Sequence, residues 1–75
     1  MSLTVADLKK GERGIIIDVS SEDIPLKLLE MGCLPGNSVE LIQVAPFADP
    51  IYLNINGSHL AIRKETAALI LIEKD

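Results

Sequence analysis

The residues able to do chemistry in this chain are few. Cys33 is its one cysteine and His59 its one histidine. No serine or cysteine stands in a nucleophile motif, no glycine-rich loop is built for phosphate, and no carboxylate pair suggests acid–base work. The expectation is a protein that is not an enzyme. Cys33, His59, Asp49 and Glu30 are the candidate metal donors. A closed transition-metal site needs three or four converging donors, and these four show no ligand spacing. Cys33 reads as a small buried hydrophobe at a helix end, and His59 as a solvated strand residue. No metal site and no cofactor are expected. A transition metal ion is the alternative, with Cys33 or His59 among its ligands.

Contact chemistry is better represented. Along a helix advancing about 100° per residue, Ile24, Leu28 and Met31 share one face, the core face. Leu26 and Leu29 lie far round from it, beside Lys27 and Glu30. Leu26, Lys27, Leu29 and Glu30 are therefore the candidate partner-binding residues, an apolar stripe that a small core does not reach.

The elements that position them follow from turn signals. The chain has 75 residues and a net charge of −4. That length allows one domain, residues 1–75, with an economical aliphatic core. The acidic balance and the scattered lysines and arginines argue against nucleic acid. A lone cysteine fits a reducing compartment. The N-terminus does not read as a signal peptide, and no apolar run approaches a membrane span. The expected location is cytoplasmic. Oligomeric state is not legible.

Ser2 and Leu3 begin an edge strand, and Thr4 to Asp7 has the form of a capped turn that Gly11 closes. In the strand Gly14–Val19, alternation places Ile15, Ile17 and Val19 in the core, with Ile16 on the opposite face. After the polar break Ser20–Asp23, Asp23 caps a helix with Ile24 and Pro25 in its first turn. That helix runs to Met31, with Gly32 as its stop. Pro35-Gly36 suits a type II turn. Ser38–Val44 is a strand apolar on both faces, as in a small bent barrel. Phe47, in the loop Pro46–Pro50, is placed in the core. Tyr52 is left open between surface and rim. Ile51, Leu53 and Ile55 alternate inward, and Asn56-Gly57 marks a type I′ hairpin. Leu60 and Ile62 follow on the inner face. Lys64–Ala68 makes a short turn, and Leu69–Glu73 closes the sheet. The expected fold is all-β, five or six strands in a small barrel with one short inserted helix.

Three stretches in order carry a resemblance: LLEMGCLPG at residues 28–36, VAPFADPI at 44–51, and Leu60-Ala61-Ile62-Arg63-Lys64 followed by an alanine-rich turn. The chain resembles the FeoA family, small cytoplasmic proteins of bacterial ferrous iron uptake. The resemblance implies an SH3-like β-barrel and an accessory role on the FeoB-type iron permease, whose cytoplasmic GTP-binding domain is the implied partner. Nucleic acid and direct membrane insertion are not implied. Ala48 stands where the family commonly has glycine, and Cys33 where a larger apolar residue is common. The competing reading is a metal-binding or metal-sensing SH3-like domain. A generic peptide-binding SH3-like domain is a third, and its poverty in aromatics argues against proline-rich ligands.

Overall fold

Short alternating stretches separated by turn residues produce one antiparallel sheet of six strands. The computed structural model describes residues 3–19, 24–47 and 49–74. The strands are β1 (Leu3–Thr4), β2 (Arg13–Val19), β3 (Ser38–Val44), β4 (Ile51–Ile55), β5 (Ser58–Ile62) and β6 (Ile70–Lys74). Among the described residues two short helices interrupt them, α1 (Leu26–Glu30) and α2 (Lys64–Ala67). A single 3-10 turn spans Val5–Asp7, where the Asp7 carboxylate accepts from the Thr4 N–H at 2.9 Å. Ser2, the break Ser20–Asp23 with its expected cap, and Ala48 lie outside the described residues.

Strand order is β1-β6-β2-β3-β4-β5. The molecule measures 28 × 24 × 24 Å. A flat sheet is only about 10 Å thick, so this one coils around its own apolar face. Two bulges bend it, at Ile17 in β2 against β6 and at Ile42 in β3 against β4. Each inserts an unpaired residue and increases the local twist. Inside lies one aliphatic cluster, with Val5, Ile16, Cys33, Val39, Leu41, Leu53, Ile55 and Ile70 all but fully buried.

The expected inner face of β2 is inverted. Ile16 is buried, whereas Ile15 and Ile17 are 38% and 53% exposed. Strand pairing explains it. Ile16 lies opposite the buried Ile72, and Gly14 opposite the buried Val39, so Gly14 and Ile16 share the core face. Gly14 makes the close approach possible: a Cβ there would sit 2.9 Å from the Glu73 carbonyl oxygen and 3.0 Å from Ile72 Cδ1. The bulge at Ile17 then resets the phase, and Val19, opposite Ile70, packs half-buried against the core.

Phe47 is a second correction. It is 94% exposed. Its loop is tied at its base by the Ala45 N–H donating to Pro50 O at 3.1 Å. The Asp49 carboxylate accepts the Lys64 N–H at 2.8 Å. These ties leave Phe47 outside a core already filled by aliphatic side chains. Helix α1 also begins later than expected: Pro25 takes the cap position and Leu26 opens the helix. Residues 64–67 form a full α-helical turn.

Among the described residues one ion pair links the neighbouring strands β6 and β2 near the surface, Lys74 Nζ to Glu12 Oε2 at 2.6 Å. The Lys74 hydrogen bond, then the Lys9 N–H, hold the Glu12 carboxyl below its ordinary 4.5. The pair is intact at neutral pH and is lost as pH falls below that range.

The packing at Gly14 gives a direct test. Gly14→Ala should destabilise the fold by about 1–3 kcal/mol, the range for overpacking a filled site. Urea unfolding measures it, and an unchanged midpoint would show that β2 does not approach β6 as described.

Candidate functional site

Helix α1 has five residues, too few to persist by its own hydrogen bonds. Its position depends on how it stops. The Gly32 N–H donates to Leu29 O at 3.2 Å and the Cys33 N–H to Leu28 O at 3.0 Å. Gly32 has φ +103°, the left-handed conformation this stop requires. Leu28 and Cys33 are both buried, the apolar contact that accompanies such a stop. The connection onward is equally tied. Asn37 Nδ2 donates to Gly32 O at 2.7 Å. The turn at Pro35-Gly36 closes through the Asn37 N–H to Leu34 O, and the Gly36 N–H bonds Ile16 O in β2.

Held this way, α1 buries Leu28 and turns Leu26 out, 69% exposed, with Lys27 and Glu30 exposed beside it. Leu29 is half-buried against the core. The stripe is thus narrower than expected. Leu26 lies about 160° from Leu28 around the helix and Leu29 about 100°, so the second leucine reaches the edge of the core. Met31, placed in the core, is half-buried at the helix end.

Two hollows border the same region. One, of about 310 Å³, is lined by Lys27, Leu28, Met31, His59, Leu60 and Ala61. The other, of about 320 Å³, shares His59, Leu60 and Ala61 and is completed by Ile42, Tyr52 and Leu53. Sequence reasoning singled out His59 of β5 as a metal donor and Leu60 and Ile62 for the inner face, and gave none of them a part in partner binding. Their local pattern is ordinary, and their place at the end of the sheet depends on strand order.

The candidate metal donors are not brought together. Among the described residues no group of three His, Cys, Asp or Glu converges. Cys33 is inside the core, His59 and Glu30 are exposed, and Asp49 caps α2. Burial pushes the Cys33 thiol above its ordinary value of 9.0, keeping it neutral in the physiological range. Among the described residues no helix is long and apolar enough to cross a membrane.

Comparison with known proteins adds the following. The family model described as "FeoA domain" matches residues 3–74. A Fe(2+) transport protein A/Fe(2+) transporter FeoB fusion protein of Porphyromonas gingivalis is 32% identical over 72 residues, 95% of this chain. The chain spans about 8% of that relative's length. The solution structure of a FeoA protein from Chlorobium tepidum superposes with a TM-score of 0.88 at 29% identity, covering 96% of this chain and 70% of that one. A FeoA of Stenotrophomonas maltophilia, complexed with zinc and described as an SH3 domain protein, shares the fold. Its TM-score is 0.80 at 18% identity, over 95% of this chain and 89% of that one.

Two outcomes test the local chemistry. Cys33 should resist a thiol reagent such as dithionitrobenzoate at pH 8 in the native protein and react at once in denaturant. Rapid labelling of the folded chain would show an open thiol. Because folding raises this thiol, its contribution to stability is intact below about pH 9 and declines as pH rises beyond. Asp49→Ala should lower stability by about 0.5–2 kcal/mol, the range for a lost helix cap. Thermal unfolding reads it, and an unchanged Tm would mean that the loop is not tied to α2.

Proposed function

The chain belongs to the FeoA family, and from that we propose that it serves ferrous iron transport as a contact module on the cytoplasmic part of a FeoB-type permease. The observation that carries this reading is Leu26, an aliphatic side chain 69% exposed on a helix whose orientation is fixed by its hydrogen-bonded stop. Lys27 and Glu30 border it, and Leu29 supports it from the core side. An apolar anchor with a charged rim is the usual composition of a small docking surface.

The family and the fold support the same reading. The relative from P. gingivalis carries transport protein A and FeoB in one polypeptide. Covalent linkage raises the effective concentration of two parts that act on each other. An SH3-like fold in which no group of three metal-ligating side chains converges among the described residues supports work by contact. The permease's GTP-binding domain is the partner we assign to the α1 face, in the cytoplasm.

A pull-down of the permease's cytoplasmic GTP-binding domain tests this, with and without iron and nucleotide. The chain should be retained without iron, and Leu26→Glu, which leaves the core untouched, should weaken retention at least about tenfold, as for loss of an interface anchor. Retention of a folded Leu26→Glu protein at the wild-type level would overturn the assignment. Binding that requires ferrous iron would replace it with the metal-sensing reading.

A further inference from the structure

β5 ends the sheet and has one neighbour, β4. The hairpin turn determines which of its backbone groups that neighbour uses. Asn56 and Gly57 have φ of 50° and 93°, a type I′ turn, flanked by Ile55 and Ser58. The residues flanking such a turn are a hydrogen-bonded pair, and pair types then alternate along the ladder. Ser58, Leu60 and Ile62 therefore bond to β4. His59 and Ala61, opposite Asn54 and Tyr52, direct their N–H and C=O groups away from it. Among the described residues no other backbone group bonds to them.

This edge lacks the usual protection. Natural edge strands carry lysine, proline or a bulge that blocks pairing. Ser58–Ile62 contains none of these, and its ladder with β4 is regular. Instead the two hollows border it, and both include His59, Leu60 and Ala61. One is completed by α1, the other by β3 and β4. A strand added to an edge alternates its side chains between two faces, so a hollow on each side is what strand addition requires.

Charge narrows the occupant. The chain has net charge −4, yet neither hollow is lined by a described carboxylate. Among the described residues the one lining cation is Lys27, and it has no ion-pair partner among them. His59 stands in both hollows. An acidic segment would be repelled by most of the surface and attracted here.

We propose that the free edge of β5 is a strand-addition site for an extended acidic segment of a partner protein. Its backbone pairs with His59 and Ala61. One set of side chains enters the apolar hollow at Ile42 and Tyr52, and the alternate set, acidic, meets Lys27 beside Leu28 and Met31. The site adjoins the α1 face and rests on the reading of this chain as a contact module, to which it adds the form and charge of what is bound.

The test titrates the ¹⁵N-labelled protein with three acetylated, amidated hexapeptides: alternating valine–glutamate, alternating valine–lysine, and a block of three valines then three glutamates. The alternating acidic peptide should give saturable amide shifts at His59, Leu60, Ala61 and Lys27. Its binding should be at least about tenfold tighter than that of the other two, the scale of one satisfied charge pair. Lys27→Glu should reverse the preference between the acidic and basic peptides. Ala61→Pro removes an N–H that β4 does not use, so the protein should keep its fold and lose the peptide. No saturable shift at about millimolar peptide, or equal binding of all three, overturns the proposal. If the permease domain binds the Ala61→Pro protein as tightly as wild type, the edge is not the site and the contact reading stands. If the acidic peptide binds as described and the permease domain binds neither protein, the edge assignment stands and the permease reading fails.

Discussion

The carbonyl of Leu28 is the point on which this structure depends. It accepts the Cys33 N–H at 3.0 Å, while the side chains of both residues lie in the core. A five-residue helix has little stability of its own, so α1 keeps its place through this stop and the contacts that follow it. From Gly32 the constraint passes to Asn37, and from Gly36 to Ile16 in β2. Helix, turn and sheet are thereby locked within one short stretch of chain. The angle of α1 to the sheet decides that Leu28 is buried, that Leu26 faces out, and that a hollow remains between α1 and β5.

That arrangement favours contact over chemistry. The thiol is buried and neutral, the imidazole is exposed, and the loop carboxylate is used as a helix cap. The described surface offers an exposed leucine on a fixed helix, the unpaired edge of β5, and a lysine near both. On the proposed reading, these are means of holding a partner in a defined orientation. The second tie, from Asp49 to the Lys64 N–H, stiffens the opposite end of the sheet and holds Phe47 away from the core.

Local signals were legible and tertiary ones were not. Gly32, Pro35-Gly36 and Asn56-Gly57 each marked a turn that the structure has, because their backbone preferences are intrinsic. The alternation of Ile51, Leu53 and Ile55 likewise stated its own inner face. In β2 the three apolar residues 15, 17 and 19 outweighed Ile16 by count, yet pairing with Val39 and Ile72 selected the face of Gly14 and Ile16. The bulges at Ile17 and Ile42 arise from bending between strands and leave no mark in composition. Leu26 was found by helical angle alone, whereas Leu29 was assigned outward because the width of the core is not written in five residues. Phe47 went wrong because its loop is held by a residue far along the chain. The β5 edge was missed because strand order is non-local.

Methyl cross-saturation between the labelled chain and the unlabelled GTP-binding domain of a FeoB-type permease tests the central claim most directly. Intensity loss should concentrate on Leu26, Leu60 and Ala61, the outer face of α1 and the adjoining edge. Saturation of Ile15 and Ile17 on the outer face of β2, with Leu26 and Ala61 untouched, would contradict the account.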